Sequence, residues 1–214
     1  MSSLERTVYD VFDTLSKLEL LTAPDTEKDV RIVYLMRGLP SCGKSHASRQ
    51  LAGTKGTIIE TDAFFVKNFD GQCTYEYDEE RLAEARNWSL SRFVEAVRLH
   101  VSPIVVDRGN GRNVESKVYA EIAIKNNYEV RIAEPTSPWW NEIKTLLRYR
   151  PHTNAILDHW ANRLAEISLQ THNVPATTIR DWMDSWWDDL TVDDILSLDE
   201  STENLDHLQF LSTD

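Results

Sequence analysis

Residues 38–45 constrain the fold of this chain more than any other part of the sequence. They read GLPSCGKS, which fits the pattern GxxxxGKS/T at every fixed position, and they follow the apolar run IVYLM at residues 32–36. Such a run is typical of a strand that is buried on both faces. The backbone N–H groups of the loop and the start of the next helix form an anion site. The sequence therefore predicts a nucleotide-binding loop; the alternative is a glycine-rich turn without a ligand.

The pattern also assigns roles to individual residues of this loop. Lys44 is expected to reach the β- and γ-phosphates of ATP, and the Ser45 hydroxyl is expected to hold Mg²⁺. Cys42 lies where loop amides and the helix terminus would lower its pKa, although a small packing residue is the simpler interpretation. The residues predicted to bind nucleotide are Gly38, Pro40, Ser41, Cys42, Gly43, Lys44, Ser45 and His46.

Strands and helices alternate along the rest of the chain. Apolar spacing predicts helices over residues 4–21, 44–52, 78–100, 115–126, 139–149, 155–169 and from 177, and strands over residues 56–61, 103–107 and 128–134. Residues 63–78 contain many aromatic side chains and are expected to be irregular. This alternation predicts an α/β protein with a mainly parallel sheet, helices on both faces, and ligands at the carboxyl ends of the strands.

The domain limits follow from the same pattern. Residues 1–29 are expected to form an N-terminal helix and a linker, with Pro24 as the breaker. Residues 30–187 are expected to form the nucleotide-binding domain, with a helical lid over about residues 139–187. Residues 188–214 are expected to form an acidic tail with one short helix that docks on the body, on a protein partner or over the active site.

The net charge of −12 is concentrated at the C-terminal end. Residues 178–214 contain eleven acidic residues and one basic residue, whereas residues 1–177 contain 24 acidic and 22 basic residues. Residues 1–177 therefore lack a broadly basic surface for nucleic acid, but their charge would not repel nucleic acid strongly. The chain has two cysteines, no signal-peptide pattern and no apolar run near the roughly 20 residues of a membrane helix. We expect a cytoplasmic protein that does not bind a membrane.

Two aspartates follow predicted strands, where they would meet the phosphate loop. Asp107 follows the run at residues 104–106 and is expected to orient Mg²⁺, directly or through water. Asp62 follows residues 58–61 and is expected to accept a proton from an attacking hydroxyl. The alternative for Asp107 is a cap of the next helix, and the alternative for Asp62 is a helix N-cap or a loop hydrogen bond.

From residue 30 to residue 187 the chain resembles the P-loop kinases of the polynucleotide 5′-kinase type, with zeta toxins as more distant relatives. The motifs that carry this resemblance are RGLPSCGKS, ETDAFF, YEYDEERLAEAR, PIVVDRGN, NNYEVRIAEPTSPWW and the HNVP turn. The resemblance implies that Asp62 activates the acceptor hydroxyl. It also implies that Asp107 and Asn110 lie beside the phosphates and the acceptor. Phe65, because it lies next to Asp62 in the sequence, and Arg108, between Asp107 and Asn110, are further candidate acceptor-binding residues.

The chain departs from this family at two points. Residues 107–110 read DRGN where relatives tend to read DNTN, so Arg108 is either an additional phosphate ligand or a change in the acceptor pocket. Relatives usually carry a lid arginine shortly before the HGVP-like turn, whereas residues 166–171 contain no basic residue. A lid arginine can supply a factor of roughly 10³ or more in phosphoryl transfer. Arg163 is the first candidate to replace it, and Arg148 and Arg150 are the others.

These observations predict a phosphotransferase that uses ATP and Mg²⁺ to phosphorylate a hydroxyl acceptor. The expected acceptor is a polynucleotide 5′-hydroxyl, such as a single-stranded end, or a nucleotide-like small molecule. Phe64, Phe65 and Tyr75 lie close enough to Asp62 in sequence to stack on a base, whereas the tryptophans are more typical of a core. The alternative function is an ATP-binding module that controls protein contacts through its Trp-rich end and acidic tail.

Overall fold

The structure is a computed structural model, and it describes residues 30–69, 72–108, 114–169 and 173–198. The helix predicted over residues 4–21, the linker at residues 22–29, Asn110 and the chain beyond residue 198 lie outside the described residues. In chain order, the strands and α-helices are β1 (Ile32–Met36), α1 (Lys44–Ala52), β2 (Thr57–Glu60), β3 (Val66–Phe69), β4 (Gln72–Tyr75), α2 (Leu82–Arg98), β5 (Ile104–Asp107), α3 (Val114–Lys125), β6 (Glu129–Ala133), α4 (Pro138–Arg148), α5 (Asn154–Ser168), α6 (Ala176–Asp184) and α7 (Val192–Leu196).

Within the described ranges, a parallel sheet has the strand order β2–β5–β1–β6. β1 pairs with β5 on one side and with β6 on the other, so the segment that follows β1 leaves from the middle of the sheet. β2 pairs with β5 in a register that aligns Glu60 with Asp107. The carboxyl ends of all these strands therefore lie along one edge, and the predicted α/β fold with a mainly parallel sheet is confirmed.

Helices cover both faces of the sheet, because successive strand residues point to opposite sides. Val33 and Leu35 of β1 point toward α2 and α3, where they pack with Phe93 and Tyr119. Met36 of β1 points to the other face, where α1 covers it with two alanines. Both faces of β1 are therefore buried, as its apolar run predicts.

The segment predicted to be irregular contains ordered structure. A 3-10 helix at Asp62–Phe65 leads directly into β3, and β4 returns antiparallel to it with Val66 opposite Tyr75. The expectation of an irregular segment over residues 63–78 is therefore wrong for the hairpin. The sequence signal for this hairpin is the pair DG at residues 70–71, which lies between two stretches of mixed apolar and polar residues. An Asp-Gly pair in such a place is a common hairpin pattern.

The C-terminal helices form a second apolar core that includes part of the phosphate loop. Apolar residues of α4, α5 and α6 pack around Leu39 and Cys42, both of which are fully buried. Helix α4 has Ser137 as its N-cap, whose hydroxyl accepts a hydrogen bond from the backbone N–H of Trp140. The helices of the predicted lid region, α4 to α6, are therefore packed against the loop.

Helix α7 returns the chain to the main core. Leu190, just before α7, and Ile195 of α7 are buried in the same core as Phe93 of α2 and Tyr119 of α3. A capping box starts the helix: Thr191 Oγ1 accepts from the backbone N–H of Asp194, and the Asp194 carboxylate accepts from the backbone N–H of Thr191. The short helix expected near this position is thus docked on the body.

In the part of the chain that the structure describes, none of the helices has the length and apolar character that a membrane-spanning segment requires.

Candidate functional site

The loop between β1 and α1 has the backbone shape of a phosphate cradle. Gly38 and Gly43 have φ values of 151° and 98°, and Ser41 has a φ of 58°. A side chain at Gly38 would place its Cβ 2.7 Å from the Sγ atom of Cys42 and 3.1 Å from the ring of Pro135. Glycine at this position is therefore required by both the backbone conformation and the space available.

Lys44 closes over this loop from within. Its ammonium group donates hydrogen bonds to the carbonyl oxygens of Gly38 and Leu39, both at 2.9 Å. These two bonds keep the lysine at the mouth of the cradle, where it would meet a phosphate anion. Ser45 and His46 follow on the exposed side of the first turn of α1.

The segment between β6 and α4 supports the loop from behind. The hydroxyl of Ser137 donates to the carbonyl oxygen of Cys42 at 2.9 Å, and the indole N–H of Trp139 donates to that of Ser41 at 3.3 Å. These bonds give two carbonyl oxygens of the loop side-chain donors and fasten the loop to this segment. None of these contacts was predicted from the sequence, although the motif EPTSPWW includes both donors.

Cys42 is a packing residue in this arrangement. Burial raises the pKa of its thiol to about 11, and the nearby ammonium group of Lys44 only partly opposes this effect. The expectation of a lowered pKa is wrong, because burial of the side chain in the apolar core outweighs the lowering effect of Lys44 and of the loop backbone. The simpler interpretation, a small buried side chain, agrees with the structure.

Asp107 lies at the end of β5 and is tied to the helix that follows the loop. Its carboxylate lies 3.0 Å from the hydroxyl of Ser48, a fully buried residue of α1. This contact fixes the carboxylate beside α1, the helix whose first turn carries Ser45. Ser48 was not predicted as a site residue; its position four residues after Lys44, on the same helical face, is the available signal.

Glu60 is a further carboxylate at this edge that was not predicted from the sequence. It pairs in register with Asp107, and Asp62 lies two residues later. Burial raises the pKa of Glu60, as do the charges of Asp107 and Asp62, while Arg49 and Arg92 lower it. The sheet edge beside the loop is therefore strongly negative, and a cation would be favoured there.

The residues expected to hold Mg²⁺ fit that ion by their chemistry. Protein-bound Mg²⁺ usually takes one or two protein oxygens and completes its shell with phosphate oxygens and water. The hydroxyl of Ser45 and the carboxylate of Asp107 are ligands of this kind. The donor set therefore fits a magnesium–nucleotide complex.

Asp62 is exposed at the start of the 3-10 helix that follows β2. Partial burial and, after it, the negative charge of Asp62 raise the pKa of Tyr75 to about 12. Phe65, a predicted acceptor-binding residue, is only 2% exposed, whereas Tyr75 and Tyr77 beside it are 39% and 53% exposed. The accessible rings near Asp62 are thus the two tyrosines.

Close to Asp62 in the chain, Phe64 belongs to a group of aromatic rings with an arginine over two of them. Phe64 contacts Phe65 and Trp88 edge-on, with ring centroids 5.2 and 5.8 Å apart. Arg81 lies over Phe64 and Arg92 lies over Trp88, each 4.7 Å from the ring centroid. Arg108, the other predicted acceptor residue, is half-buried, with its guanidinium carbon 6.0 Å from the Tyr119 ring.

Arg37, immediately before the loop, is the centre of a buried polar cluster. It forms an ion pair with Glu134 at 3.3 Å, donates to the backbone carbonyl of Trp187 and stacks over Trp186 at 3.9 Å. Lys144 forms a second ion pair with Glu134, at 2.6 Å. This cluster, which was not predicted, connects the start of the loop to α4 and to the chain after α6.

The arginines considered as lid residues occupy different environments. Arg148 pairs with Asp189. Arg150 donates to the backbone carbonyls of Met183, Asp184 and Trp186 at the end of α6. Arg163 is exposed on α5, and among the described residues no ion pair or hydrogen bond of its side chain is found.

A family model described as AAA domain matches residues 33–167. NEDD4-binding protein 2 of Homo sapiens is 32% identical over 152 residues, which are 67% of this chain and 8% of that protein. A solved structure from the PezAT chromosomal toxin–antitoxin system of Streptococcus pneumoniae aligns with 92% of this chain and 93% of its own, at 17% identity and a TM-score of 0.37.

The chain thus spans about 8% of the length of the human relative. The family match covers β1 from Val33 onward, the phosphate loop, the segment from β2 to Asp62, β5 with Asp107, and nearly all of α5. The predicted P-loop fold is confirmed, and the narrower resemblance to polynucleotide 5′-kinases stays a prediction.

Proposed function

We propose that this chain, which belongs to the AAA domain family, is a phosphotransferase. It would move the γ-phosphate of ATP to a hydroxyl acceptor. The proposed acceptor is a polynucleotide 5′-hydroxyl or a nucleotide-like small molecule, and the proposed cofactor is Mg²⁺. The observation that carries this proposal is the meeting of three features at one sheet edge: a loop with the shape of a phosphate cradle, the carboxylate of Asp107 and the carboxylate of Asp62.

The loop residues supply binding and charge. Lys44 would exchange its two hydrogen bonds to loop carbonyls for bonds to the β- and γ-phosphates, while the loop amides hold the same oxygens. Ser45 and Asp107 would hold Mg²⁺, which when bound neutralises charge on the phosphates. Ser48 keeps the carboxylate of Asp107 in place for this role.

Asp62 supplies the base. The acceptor hydroxyl oxygen forms a bond to the γ-phosphorus, and the bond from that phosphorus to the β–γ bridging oxygen breaks, so that ADP leaves. The hydroxyl proton passes to the carboxylate of Asp62, which is exposed and able to meet a ligand from solvent. The exposed tyrosine rings beside it offer surfaces on which a nucleobase of the acceptor would stack.

Arg163 is the proposed lid arginine. Lys144, Arg148, Arg150 and Arg180, the other basic residues on or next to the C-terminal helices, pair with carboxylates or backbone carbonyls. Arg163 is exposed and has none of these described partners, so its guanidinium group is available to a phosphate. Arg163 would then replace the lid arginine that residues 166–171 lack.

A radiolabel assay tests the proposal directly. Mg·[γ-³²P]ATP is incubated with 5′-hydroxyl RNA and DNA oligonucleotides and with nucleosides, beside an acceptor-free control. We expect label on an acceptor, and we expect Asp62→Asn to lower its rate by at least about 10² while leaving ATP affinity unchanged. Asp181→Asn, the same change at an exposed position of α6, serves as the matched control. Transfer that survives Asp62→Asn would remove Asp62 as the base.

A second candidate function is a nucleotide-dependent switch for protein contacts. The observation that favours it is the packing of Leu39 and Cys42 of the loop into the core of the C-terminal helices. A change in the loop on nucleotide binding would reach those helices through this core. ATP binding without transfer to any acceptor would favour this second function over the first.

A further inference from the structure

Ser137 joins the phosphate loop to helix α4 through a single hydroxyl group. The hydroxyl donates to the carbonyl oxygen of Cys42 at 2.9 Å, and it accepts from the backbone N–H of Trp140 at 3.2 Å. A serine hydroxyl has one proton to donate and can also accept. Both capacities are therefore used here: the proton fastens the loop, and the oxygen caps the helix.

The backbone around Ser137 holds this hydroxyl in place. Ser137 has the extended conformation of an N-cap residue, and Pro138 follows it at the start of α4. Its carbonyl oxygen accepts a bond of the first helical turn, from the backbone N–H of Asn141 at 3.1 Å. Proline favours the start of a helix because its φ is already fixed near the helical value. The hydroxyl of Ser137 therefore has a rigid support.

The segment before α4 also packs along two glycines of the loop. A Cβ placed at Gly38 would lie 3.1 Å from the ring of Pro135, which is buried. A Cβ placed at Gly43 would lie 3.7 Å from the Cβ atom of Ser137, an ordinary contact distance. Ser137 therefore lies against the loop at Gly43, the residue that follows Cys42.

The bond to the Cys42 carbonyl also sets the direction of an amide of the loop. The peptide that joins Cys42 to Gly43 is trans, so its C=O and N–H groups point in opposite directions. Because the carbonyl is held toward Ser137, the N–H of Gly43 points away from Ser137. Within the described residues, this N–H has no hydrogen bond to a backbone carbonyl, so it can donate to an anion in the cradle.

The bond from Trp139 acts on the preceding peptide and has a different consequence. Its indole N–H donates to the carbonyl oxygen of Ser41 at 3.3 Å. The N–H of that peptide belongs to Cys42 and donates to the carbonyl oxygen of Leu39 at 3.4 Å, inside the loop. Of these two donors, Ser137 is therefore the one that directs an amide which the loop itself does not use.

We propose that Ser137 is a positioning residue for the phosphate loop, whose hydroxyl keeps the N–H of Gly43 directed at the phosphates of ATP. This inference rests on the nucleotide binding of the proposed function, and it does not depend on transfer to an acceptor. A donor that is already in position binds an anion more tightly than one that must first be ordered. Ser137 itself contacts no phosphate and acts through the loop backbone.

Substitutions at Ser137 separate the loop contact from the helix cap. Ser137→Asp keeps an acceptor for the N–H of Trp140, because aspartate caps helices as well as serine does, but it has no proton for the Cys42 carbonyl. Ser137→Ala loses both contacts, and Ser137→Thr keeps both. Thr136→Asp adds the same negative charge at the exposed neighbouring residue and is the matched control for Ser137→Asp.

Isothermal titration with Mg·ATP and with inorganic pyrophosphate, without any acceptor, measures the effect on the loop. We expect Ser137→Asp and Ser137→Ala to weaken the binding of both ligands by about 5- to 10-fold, as for the loss of one hydrogen bond. Ser137→Thr and Thr136→Asp are expected to stay within about 2-fold of the unmodified chain. Melting curves measure the cap: we expect a fall of about 2–4 °C in Ser137→Ala and no fall in Ser137→Asp.

The outcomes distinguish the inference from the proposed function. Unchanged ATP affinity in Ser137→Asp overturns the inference, whatever the rate of transfer, because any loss in Ser137→Ala would then come from the helix cap. An equal loss in Thr136→Asp, with none in Ser137→Ala, also overturns it, since the added charge would be the cause. Weaker ATP binding by Ser137→Asp and Ser137→Ala in a chain that transfers no phosphate supports the inference and removes the proposed phosphotransferase. An unmodified chain that binds neither ligand overturns both.

Discussion

At the scale of single residues, Gly38 and Gly53 illustrate two reasons why a glycine is required: the backbone conformation and the space available for a side chain. Both have positive φ values, 151° and 57°. A Cβ at Gly38 would meet Cys42 and Pro135, whereas a Cβ at Gly53 would have no heavy atom within 4 Å. Backbone strain is therefore common to both positions, and the close contact occurs only in the phosphate loop.

We expect Gly38→Ala to lower ATP affinity by at least about 10-fold, because the loop must shift to relieve the contact and its amides then lose their alignment. Gly53→Ala, at the end of α1, is expected to cost about 1–3 kcal/mol of stability from backbone strain and to leave ATP affinity unchanged. Isothermal titration and urea unfolding of both variants measure the two effects. Equal loss of ATP affinity in both variants would contradict the assignment of the contact to Gly38.

At the scale of helices and strands, the limits of prediction follow from what each pattern encodes. The buried strands were predictable because their signal is local: a short apolar run followed by a carboxylate, as at residues 104–107. The hairpin from Val66 to Tyr75 was missed because aromatic residues outweighed the weaker turn signal. Contacts such as Ser137 with Cys42 join residues far apart in the chain, and no local pattern records them.

Two arginines of the C-terminal helical region illustrate how an element's environment decides a role. Arg150 donates to carbonyls at the end of α6, where the last turn of a helix leaves acceptors without partners within the helix. Arg163 lies on the exposed face of α5. The first is suited to holding helices together, and the second is suited to meeting a ligand.

We expect Arg163→Ala to lower the rate of phosphate transfer by about 10³ without changing the melting temperature, because a lid arginine acts on the transition state. Arg150→Ala is expected to lower the free energy of unfolding by about 1–3 kcal/mol, because its carbonyl partners lose a donor. Melting curves and single-turnover transfer rates of both variants are the measurements. A loss of transfer in Arg150→Ala at unchanged stability would make Arg150 the lid residue instead.

At the scale of the whole molecule, Arg37 joins the sheet to the second apolar core. Its side chain is 3% exposed, and it pairs with Glu134, which itself is bound by Lys144 and by the indole of Trp140. A buried arginine of this kind is retained only when its charge is compensated. The start of the phosphate loop is therefore fixed by partners that lie near both β6 and the end of α6.

We expect Arg37→Ala to lower the free energy of unfolding by about 2–4 kcal/mol, somewhat less than the loss of an isolated buried pair because Lys144 still compensates Glu134. ATP affinity should fall with it, since Gly38 is the next residue. Arg98→Ala removes an exposed ion pair on α2 and is expected to leave the urea midpoint unchanged. An unchanged midpoint in Arg37→Ala would show that the cluster does not stabilise the fold.

The bond from Arg37 to the backbone of Trp187 spans 150 positions of the chain. On a ribosome the loop is synthesised early and the residues that complete its support are made late. Contacts of such long sequence separation form slowly, because a large loop must close first. A nascent chain that has reached α5 would hold every residue of the phosphate cradle, yet it would lack the tryptophans that cover Arg37. Full nucleotide affinity would therefore be reached only after the segment that follows α6 has emerged.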